Sequence, residues 1–165
     1  MRFLRIADVI VECLAALGVL AYCAAAVVTV ADILGRRIGM PVVGVVDIVQ
    51  LFVMTGAWLV IPWGFAVGAH VGVDFLVDRM PAHAARACRI AAGLAACALM
   101  ALILWKCFGA WQLQHMLGDK SQQLGIPISF YWLPLLAGAA ASILALAAML
   151  ARLISGQPVT PQAAH

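Results

Sequence analysis

Four long stretches of this chain carry no charged residue, and each approaches the length needed to cross a lipid bilayer. A helix rises about 1.5 Å per residue, so about 20 residues cover a hydrocarbon core of about 30 Å. Cys13 to Ala31, Ile48 to Val67 and Ile128 to Ala151 meet that length. Ile90 to Trp105 is shorter because Lys106 follows it, so this span requires the lysine to reach the headgroup region or to face protein.

Composition supports a membrane protein. Hydrophobic residues make up 66% of the 165 residues and charged residues 10%, and the mean hydropathy is +1.08, whereas soluble domains carry roughly 25% charged residues. We predict an all-α membrane protein with one four-helix domain at residues 1–154, because the spans leave no room for a soluble domain of ordinary size. The predicted spans are about 9–31, 45–67, 87–111 and 128–151, and the tail at 155–165 is expected to be disordered.

The N-terminus resembles a signal peptide, because Arg2 and Arg5 precede an apolar run. Asp8 and Glu12 argue against cleavage, because acidic residues at the start of the apolar run are costly in a signal peptide. In a helix they form a polar face with Arg5 at the membrane interface. We therefore interpret this segment as the start of the first span.

The basic residues near the span ends favour a topology with both termini in the cytoplasm. The outer connections are then expected at 32–43 and 112–125. The expected inner set is Arg2, Arg5, Arg79, Arg86, Arg89 and Arg152, and the outer set is Arg36, Arg37, Lys106 and Lys120.

The second span runs into a segment that, as a helix, carries His70, Asp74 and Asp78 on one side. We predict a short amphipathic interfacial helix at about 70–80, between the second and third spans. Its apolar side would rest in the acyl boundary, an arrangement typical of a scaffold. The residues assigned to it are His70, Asp74, Phe75 and Asp78.

Polar residues within the spans are few. Asp47 and Gln50 could form a buried polar contact or lie in the headgroup region, and the sequence leaves both open. Small multidrug exporters bind their cation and proton at a carboxylate in the first helix. Glu12 lies at the membrane margin and not near the middle of the span, so it does not fit that function. His70 and His115 lie about a membrane thickness apart, too far to hold one haem together. We predict no catalytic, cofactor or metal site, and no enzyme activity.

Small residues recur at four-residue spacing on the last two spans, as expected for close helix packing in lipid. They are Gly93, Cys97 and Ala101 on the third span, and Gly138 and Ser142 on the fourth, where the larger Leu146 follows at the same spacing. The second span instead carries bulky aromatic residues around Pro62, where a kink is possible. With so few polar groups, any transport chemistry is expected in a partner.

Two motifs resemble the small permease subunit of tripartite ATP-independent periplasmic (TRAP) transporters, the DctQ family. The first is a Gly-x-His-x-x-Val-Asp-Phe-Leu signature after the second span, and the second precedes the last span. Asp47 departs from the pattern because a glutamate is expected there. The matching residues are Gly68, His70, Val73, Asp74, Phe75 and Leu76, then Ser121, Leu124, Gly125, Ile126, Pro127, Tyr131 and Pro134.

The resemblance implies a subunit of a bacterial inner-membrane complex. A periplasmic substrate-binding protein would deliver an organic acid to a large permease subunit (DctM type) that holds the sodium ions, and this chain would be a static scaffold. No cofactor and no nucleic acid are expected here. The alternatives are a stand-alone small four-helix transporter and a haem-binding membrane anchor.

Residue roles follow from the same resemblance. Contact with the large subunit or with lipid is assigned to Asp47, Trp58, Trp63, Gly64 and Phe65, because aromatic and small residues are common on such surfaces. Docking of the binding protein is assigned to Arg36, Arg37, Asp119 and Lys120.

Overall fold

The computed structural model describes residues 2–67 and 81–155, which form four long α-helices. All four are long and apolar enough to cross a membrane, so the predicted all-α architecture with four spans is confirmed. The predicted interfacial helix at 70–80 and the tail beyond Ser155 lie outside the described residues. The helices are α1 (Arg2–Arg37), α2 (Val45–Ala66), α3 (Ala82–Leu117) and α4 (Ser129–Ile154).

Two helices extend well beyond the predicted spans. α1 and α3 each contain 36 residues, which corresponds to about 54 Å. The outer connections predicted at 32–43 and 112–125 therefore start several residues before the observed ones. The reason is that α1 and α3 remain helical through their polar last turns. α3 ends only at Leu117, where the next residue, Gly118, has a φ of 68°, the left-handed conformation that glycine adopts readily after a helix.

α4 organises the packing. It contacts each of the other three helices, and α1 also packs along α2. Within the described parts of the chain, α3 contacts α4 alone. α4 consequently has the longest series of buried residues, whereas much of α1 and α3 is exposed on the outside of the bundle.

Glycines allow these helices to approach closely. A Cβ placed on Gly138 of α4 would lie 2.2 Å from the carbonyl oxygen of Trp58 on α2. One placed on Gly93 of α3 would lie 2.9 Å from the Leu150 side chain on α4. The small residues predicted to mediate helix contact on α3 and α4 therefore include two that pack against neighbouring helices of this chain.

The fully buried part of the hydrophobic core near the chain termini comes from three helices, and Ala96, Cys97 and Met100 of α3 pack against it. Phe65 of α2 packs there with Val11 of α1 and with Ala145 and Leu146 of α4. Nearer the start of α4, the buried hydroxyl of Ser142 donates to the carbonyl oxygen of Gly138 at 2.8 Å. This backbone bond satisfies a polar group where water is absent.

Candidate functional site

The polar contacts of the bundle concentrate at its two ends. We call the end with the α1–α2 connection (38–44) and the α3–α4 connection (118–128) the loop end. The opposite end, where α1 and α3 begin and α2 and α4 finish, is called the terminal end. The loop end carries the more extensive network of hydrogen bonds.

Asp47 is at the centre of the loop end. It lies in the first turn of α2, is 5% exposed, and its carboxylate accepts the backbone N–H groups of Gln123 at 3.0 Å and Leu124 at 2.7 Å. The hydroxyl of Tyr131 donates to the backbone carbonyl of Asp47 at 2.9 Å. Asp47 is therefore buried in a polar contact, but its partners are the two amides of the α3–α4 connection and not Gln50, which is exposed.

The α3–α4 connection is itself held compact by hydrogen bonds. The backbone N–H of Ser121 donates to the Ile126 carbonyl at 2.8 Å, and the N–H of Ile126 donates to the Ser121 hydroxyl at 2.9 Å. Leu124 covers Gly44, where a Cβ would fall 2.2 Å from the leucine Cγ and where φ is 74°. The two connections of the loop end are therefore in direct contact.

Asp32 fixes the end of α1. This buried carboxylate accepts the Arg36 Nε–H at 2.7 Å and the backbone N–H of Val42 at 3.0 Å. The sequence placed Asp32 in an outer loop, but it lies on α1 and anchors the turn that follows. Because Arg36 is already paired with Asp32, its charge is partly neutralised within the chain.

Side chains near the loop end also join α3 to α4. His115 Nδ1 and the Ser129 hydroxyl are 3.0 Å apart, and the indole N–H of Trp132 donates to the Gln114 side-chain oxygen. The ring of Trp111 stacks on His115 with centroids 5.6 Å apart. His115 therefore has an interhelical polar role, and His83 lies at the opposite end of α3.

An ion pair closes the terminal end. Arg152 near the end of α4 donates through Nη2 to both carboxylate oxygens of Asp8 on α1, at 2.6 and 2.7 Å. Arg86 of α3 donates to the backbone carbonyl of Ile154 at 2.7 Å. The sequence interpretation grouped Asp8 with Arg5 and Glu12, and it missed the partner on α4.

The residues assigned to docking of a binding protein all lie at the loop end. Each is exposed, two of them on the last turn of α1 and two in the α3–α4 connection. They are Arg36, Arg37, Asp119 and Lys120.

The residues assigned to lateral contacts separate into two groups. Trp63 is 43% exposed, a Cβ on Gly64 would meet no atom within 4 Å, and Trp58 is half-buried. Asp47 and Phe65 are each 5% exposed, because one binds the α3–α4 connection and the other fills the core. These two are therefore engaged within the chain and offer little surface to a partner.

The residues assigned to the interfacial helix lie outside the described residues. They are His70, Asp74, Phe75 and Asp78.

One family model matches most of this chain. It is described as "Tripartite ATP-independent periplasmic transporters, DctQ component" and matches residues 25–156. A comparison with curated proteins gave no match. The matched range includes the last third of α1 and the whole of α2, α3 and α4, so it covers the loop end and most of the bundle. The chain therefore belongs to the DctQ component family of tripartite ATP-independent periplasmic (TRAP) transporters.

Proposed function

We propose that this chain is the static scaffold subunit of a TRAP transporter that takes up an organic acid together with sodium ions. Its family consists of membrane components of transporters and not of enzymes. In the proposed complex, a large permease subunit of the DctM type carries the substrate and sodium sites. A periplasmic binding protein delivers the substrate, and this chain braces the large subunit in the bacterial inner membrane.

The apolar interior of the bundle is the observation that carries this proposal. Among the residues that the structure describes, the buried polar or charged side chains are Asp32, Asp47 and Ser142. The two aspartates bind the connections at the loop end, and the serine hydroxyl is bound to its own helix. A route for an organic anion and sodium needs polar groups along its length, so this interior supports a scaffold and not a conducting path.

The loop end is proposed to face the periplasm, with both chain termini in the cytoplasm. The sequence bias of basic residues toward the terminal side supports this orientation. Two exposed cations, Arg37 and Lys120, and the exposed Asp119 would then meet the binding protein. Charges at the edge of an interface act mainly on the rate of encounter.

The lateral contact with the large subunit is proposed for the exposed side of α2 near its end. Trp63 and Gly64 offer an aromatic ring beside an open backbone position, and Trp58 lies less than two turns earlier. An aromatic ring next to a small residue suits close helix packing in lipid. His70, Asp74, Phe75 and Asp78 are proposed to orient the interfacial helix that follows.

Reconstitution into liposomes tests the scaffold role directly. Three preparations with an inward sodium gradient are compared: this chain alone, the large subunit with the binding protein, and all three proteins together. We expect sodium-dependent uptake of the organic acid from the complete system and none from this chain alone. Uptake by this chain alone would overturn the proposal, and so would full activity of the large subunit and binding protein without it.

Replacement of Asp74 tests the interfacial segment. With Asp74→Leu we expect less large subunit to co-purify and lower uptake, because the polar side of the proposed helix loses a charge at the lipid surface. Gln112→Leu, at an exposed position of α3, is the matched polar-to-leucine control. Normal co-purification and normal uptake with Asp74→Leu would remove the proposed role.

A further inference from the structure

Lys106 lies at the middle depth of the bundle. Three contacts set the alignment of α3 on α4: His115 with Ser129, Gln114 with Trp132, and Gly93 with Leu150. The two helices are antiparallel, and Lys106 lies nine residues before the first of these contacts while Gly138 lies nine residues after it, so the two are level. Gly138 lies against the Trp58 carbonyl of α2. Lys106 is therefore level with the middle of the apolar spans of α2 and α4, and not at the end of a span as the sequence indicated.

The carboxylates of the described residues lie far from this depth. They are Asp8 and Glu12 near the start of α1, Asp32 near its end, Asp47 in the first turn of α2, and Asp119 in the α3–α4 connection. α1 crosses the level of Trp58 close to Tyr22, whose ring lies against Gly56. Glu12 and Asp32 are each ten residues from Tyr22, or about 15 Å along the axis. The acids in the described parts of the chain are therefore too distant to pair with Lys106.

The side chain of Lys106 points away from the bundle. It is exposed, and its Nζ atom lies 4.6 Å from the centroid of the Trp105 ring, which is itself 69% exposed. Leu102 and Gly109 lie one turn before and one turn after Lys106 on the same side of α3. Leu102 is exposed, and a Cβ on Gly109 would meet no atom within 4 Å. We call Leu102, Lys106 and Gly109 the Lys106 face.

In the chain alone, the Lys106 face would hold a cation against hydrocarbon. Such a charge is costly at the middle of a bilayer, and the ring of Trp105 offsets only part of the cost. Cations inside a membrane usually pair with another group at the same depth. The Lys106 face therefore calls for a partner from outside the described bundle.

The depth and charge of the Lys106 face limit what can cover it. A phospholipid phosphate lies in the headgroup layer, about 15 Å or more from the bilayer centre, so its charge is not at this depth. A second copy of this chain docked through the same face would place two lysines together. A carboxylate on a transmembrane helix of a different protein satisfies both conditions, and the open backbone at Gly109 lets such a helix approach closely.

We propose that the Lys106 face binds a transmembrane helix of the large permease subunit, and that this helix carries an aspartate or glutamate at the middle of the membrane. The Lys106 ammonium donates hydrogen bonds to that carboxylate, and the partner helix packs over Leu102 and Gly109. The inference rests on the proposed function, which supplies the large subunit as the partner. It adds a polar contact on α3 to the contact proposed at Trp63 of α2.

Detergent pull-down through a tag on the full-length chain, co-expressed with the large subunit, tests the inference. We expect Lys106→Leu to lower the amount of large subunit recovered on the order of tenfold, because the partner carboxylate is left unpaired. Lys106→Glu should lower it further through repulsion, and Lys106→Arg should keep it within about twofold because the charge remains. Arg5→Glu, an exposed change at the terminal end with the same change in net charge as Lys106→Glu, is the control.

A carbodiimide cross-link identifies the partner group. Dicyclohexylcarbodiimide is apolar enough to enter the bilayer, where it activates carboxylates toward attack by a neighbouring amine. We expect an amide bond between Lys106 and an intramembrane acid of the large subunit, detected by mass spectrometry. Lys106→Arg should retain the complex but lose the cross-link, because a guanidinium is not a nucleophile under these conditions. Absence of the cross-link in the wild-type complex would contradict the pairing.

The remaining outcomes separate this inference from the proposed function. Equal recovery of the large subunit by the wild type and Lys106→Leu would overturn the inference alone. Failure of the wild type to recover any large subunit would overturn the proposed function, and this inference with it. Lys106→Leu purified without the large subunit should melt at or above the wild-type temperature, because the described bundle does not cover the Lys106 face. A lower melting temperature would mean that the lysine is engaged within its own chain, which would also overturn the inference.

Discussion

The carboxylate of Asp47 accepts the backbone N–H of Leu124 at 2.7 Å, although 77 residues separate the two along the chain. This bond joins the first turn of α2 to the connection between α3 and α4. The Tyr131 hydroxyl adds the first turn of α4 to the same junction through the Asp47 carbonyl. Asp47 therefore joins three elements of the loop end, two through its carboxylate and the third through its backbone carbonyl.

Replacement of Asp47 should loosen the α3–α4 connection selectively. Asp47→Ala removes the acceptor for the Gln123 and Leu124 amides, and a hydrogen bond to a charged group contributes about 1.5–3 kcal/mol. Hydrogen exchange of peptides containing these amides should become about tenfold faster or more. Asp119→Ala, an exposed change in the same connection, is the control. Unchanged exchange in Asp47→Ala would show that the loop is held by other contacts.

A methyl group on Gly138 should separate α2 from α4. The added Cβ would meet the Trp58 carbonyl, which is backbone and cannot rotate away. We expect Gly138→Ala to lower the free energy of unfolding by about 1–3 kcal/mol in detergent. Gly109→Ala on α3 meets no atom within 4 Å and should be neutral or slightly stabilising. Equal melting temperatures for Gly138→Ala and Gly109→Ala would contradict the close approach of α2 and α4.

The ion pair at the terminal end should couple α1 to α4. Asp8→Asn and Arg152→Gln are each expected to destabilise the bundle, and a double-mutant cycle should give a coupling of about 0.5–1.5 kcal/mol for this partly exposed pair. Glu12→Gln provides the control at an exposed acid on α1. The free energies of unfolding are measured with denaturant. If the losses from the two single substitutions simply add in the double variant, the ion pair contributes no coupling energy to stability.

Charge reversal at the loop end should slow delivery of substrate by the binding protein. The double variant Arg37→Glu and Lys120→Glu is preferred, because Arg36 is paired with Asp32 and its reversal would also disturb α1. Uptake should fall on the order of tenfold at low salt, and the loss should shrink at high salt, as expected for electrostatic steering.

Arg5→Gln, an exposed change at the terminal end, serves as the control for this experiment. Uptake that is unchanged by the double reversal at both salt concentrations would exclude a docking role for these two residues.

Hydropathy and length were sufficient to predict the four helices, because an apolar stretch in lipid must satisfy its backbone polar groups internally. Hydropathy and length did not predict where α1 and α3 end. Polar residues such as Gln112 and His115 indicate loops in a hydropathy profile, yet the helix continues until its backbone geometry changes at Gly118. Helix ends outside the apolar stretch depend on capping and not on hydrophobicity.

The contacts that define the two ends of the bundle were only partly predictable. The sequence identified Asp47 as an unusual acid near a span end, but its partners lie 76 and 77 residues away. The pairing of Asp8 with Arg152 spans 144 residues, whereas sequence reasoning considers neighbours one turn apart. Such pairs depend on which helices become adjacent, and this is determined by packing over the whole bundle.

Close packing between α1 and α2 was missed altogether. A Cβ on Gly56 would lie 2.8 Å from the Tyr22 ring, and one on Gly18 would lie 2.8 Å from Val60. Single glycines on two different helices form no repeat within either sequence, so the spacing pattern that identified Gly93 and Gly138 could not detect them.

The attachment of α3 along a single helix gives the described bundle an elongated cross-section. α3 has one neighbouring helix, whereas a helix of a closed square bundle has two, so a larger share of its circumference meets the surrounding bilayer. Its tilt is then set by one seam, in which Gly93 lies against Leu150 and Arg86 binds the last turn of α4. A molecule that packs against the free side of α3 would complete a second seam and thereby fix the angle at which this helix crosses the bilayer.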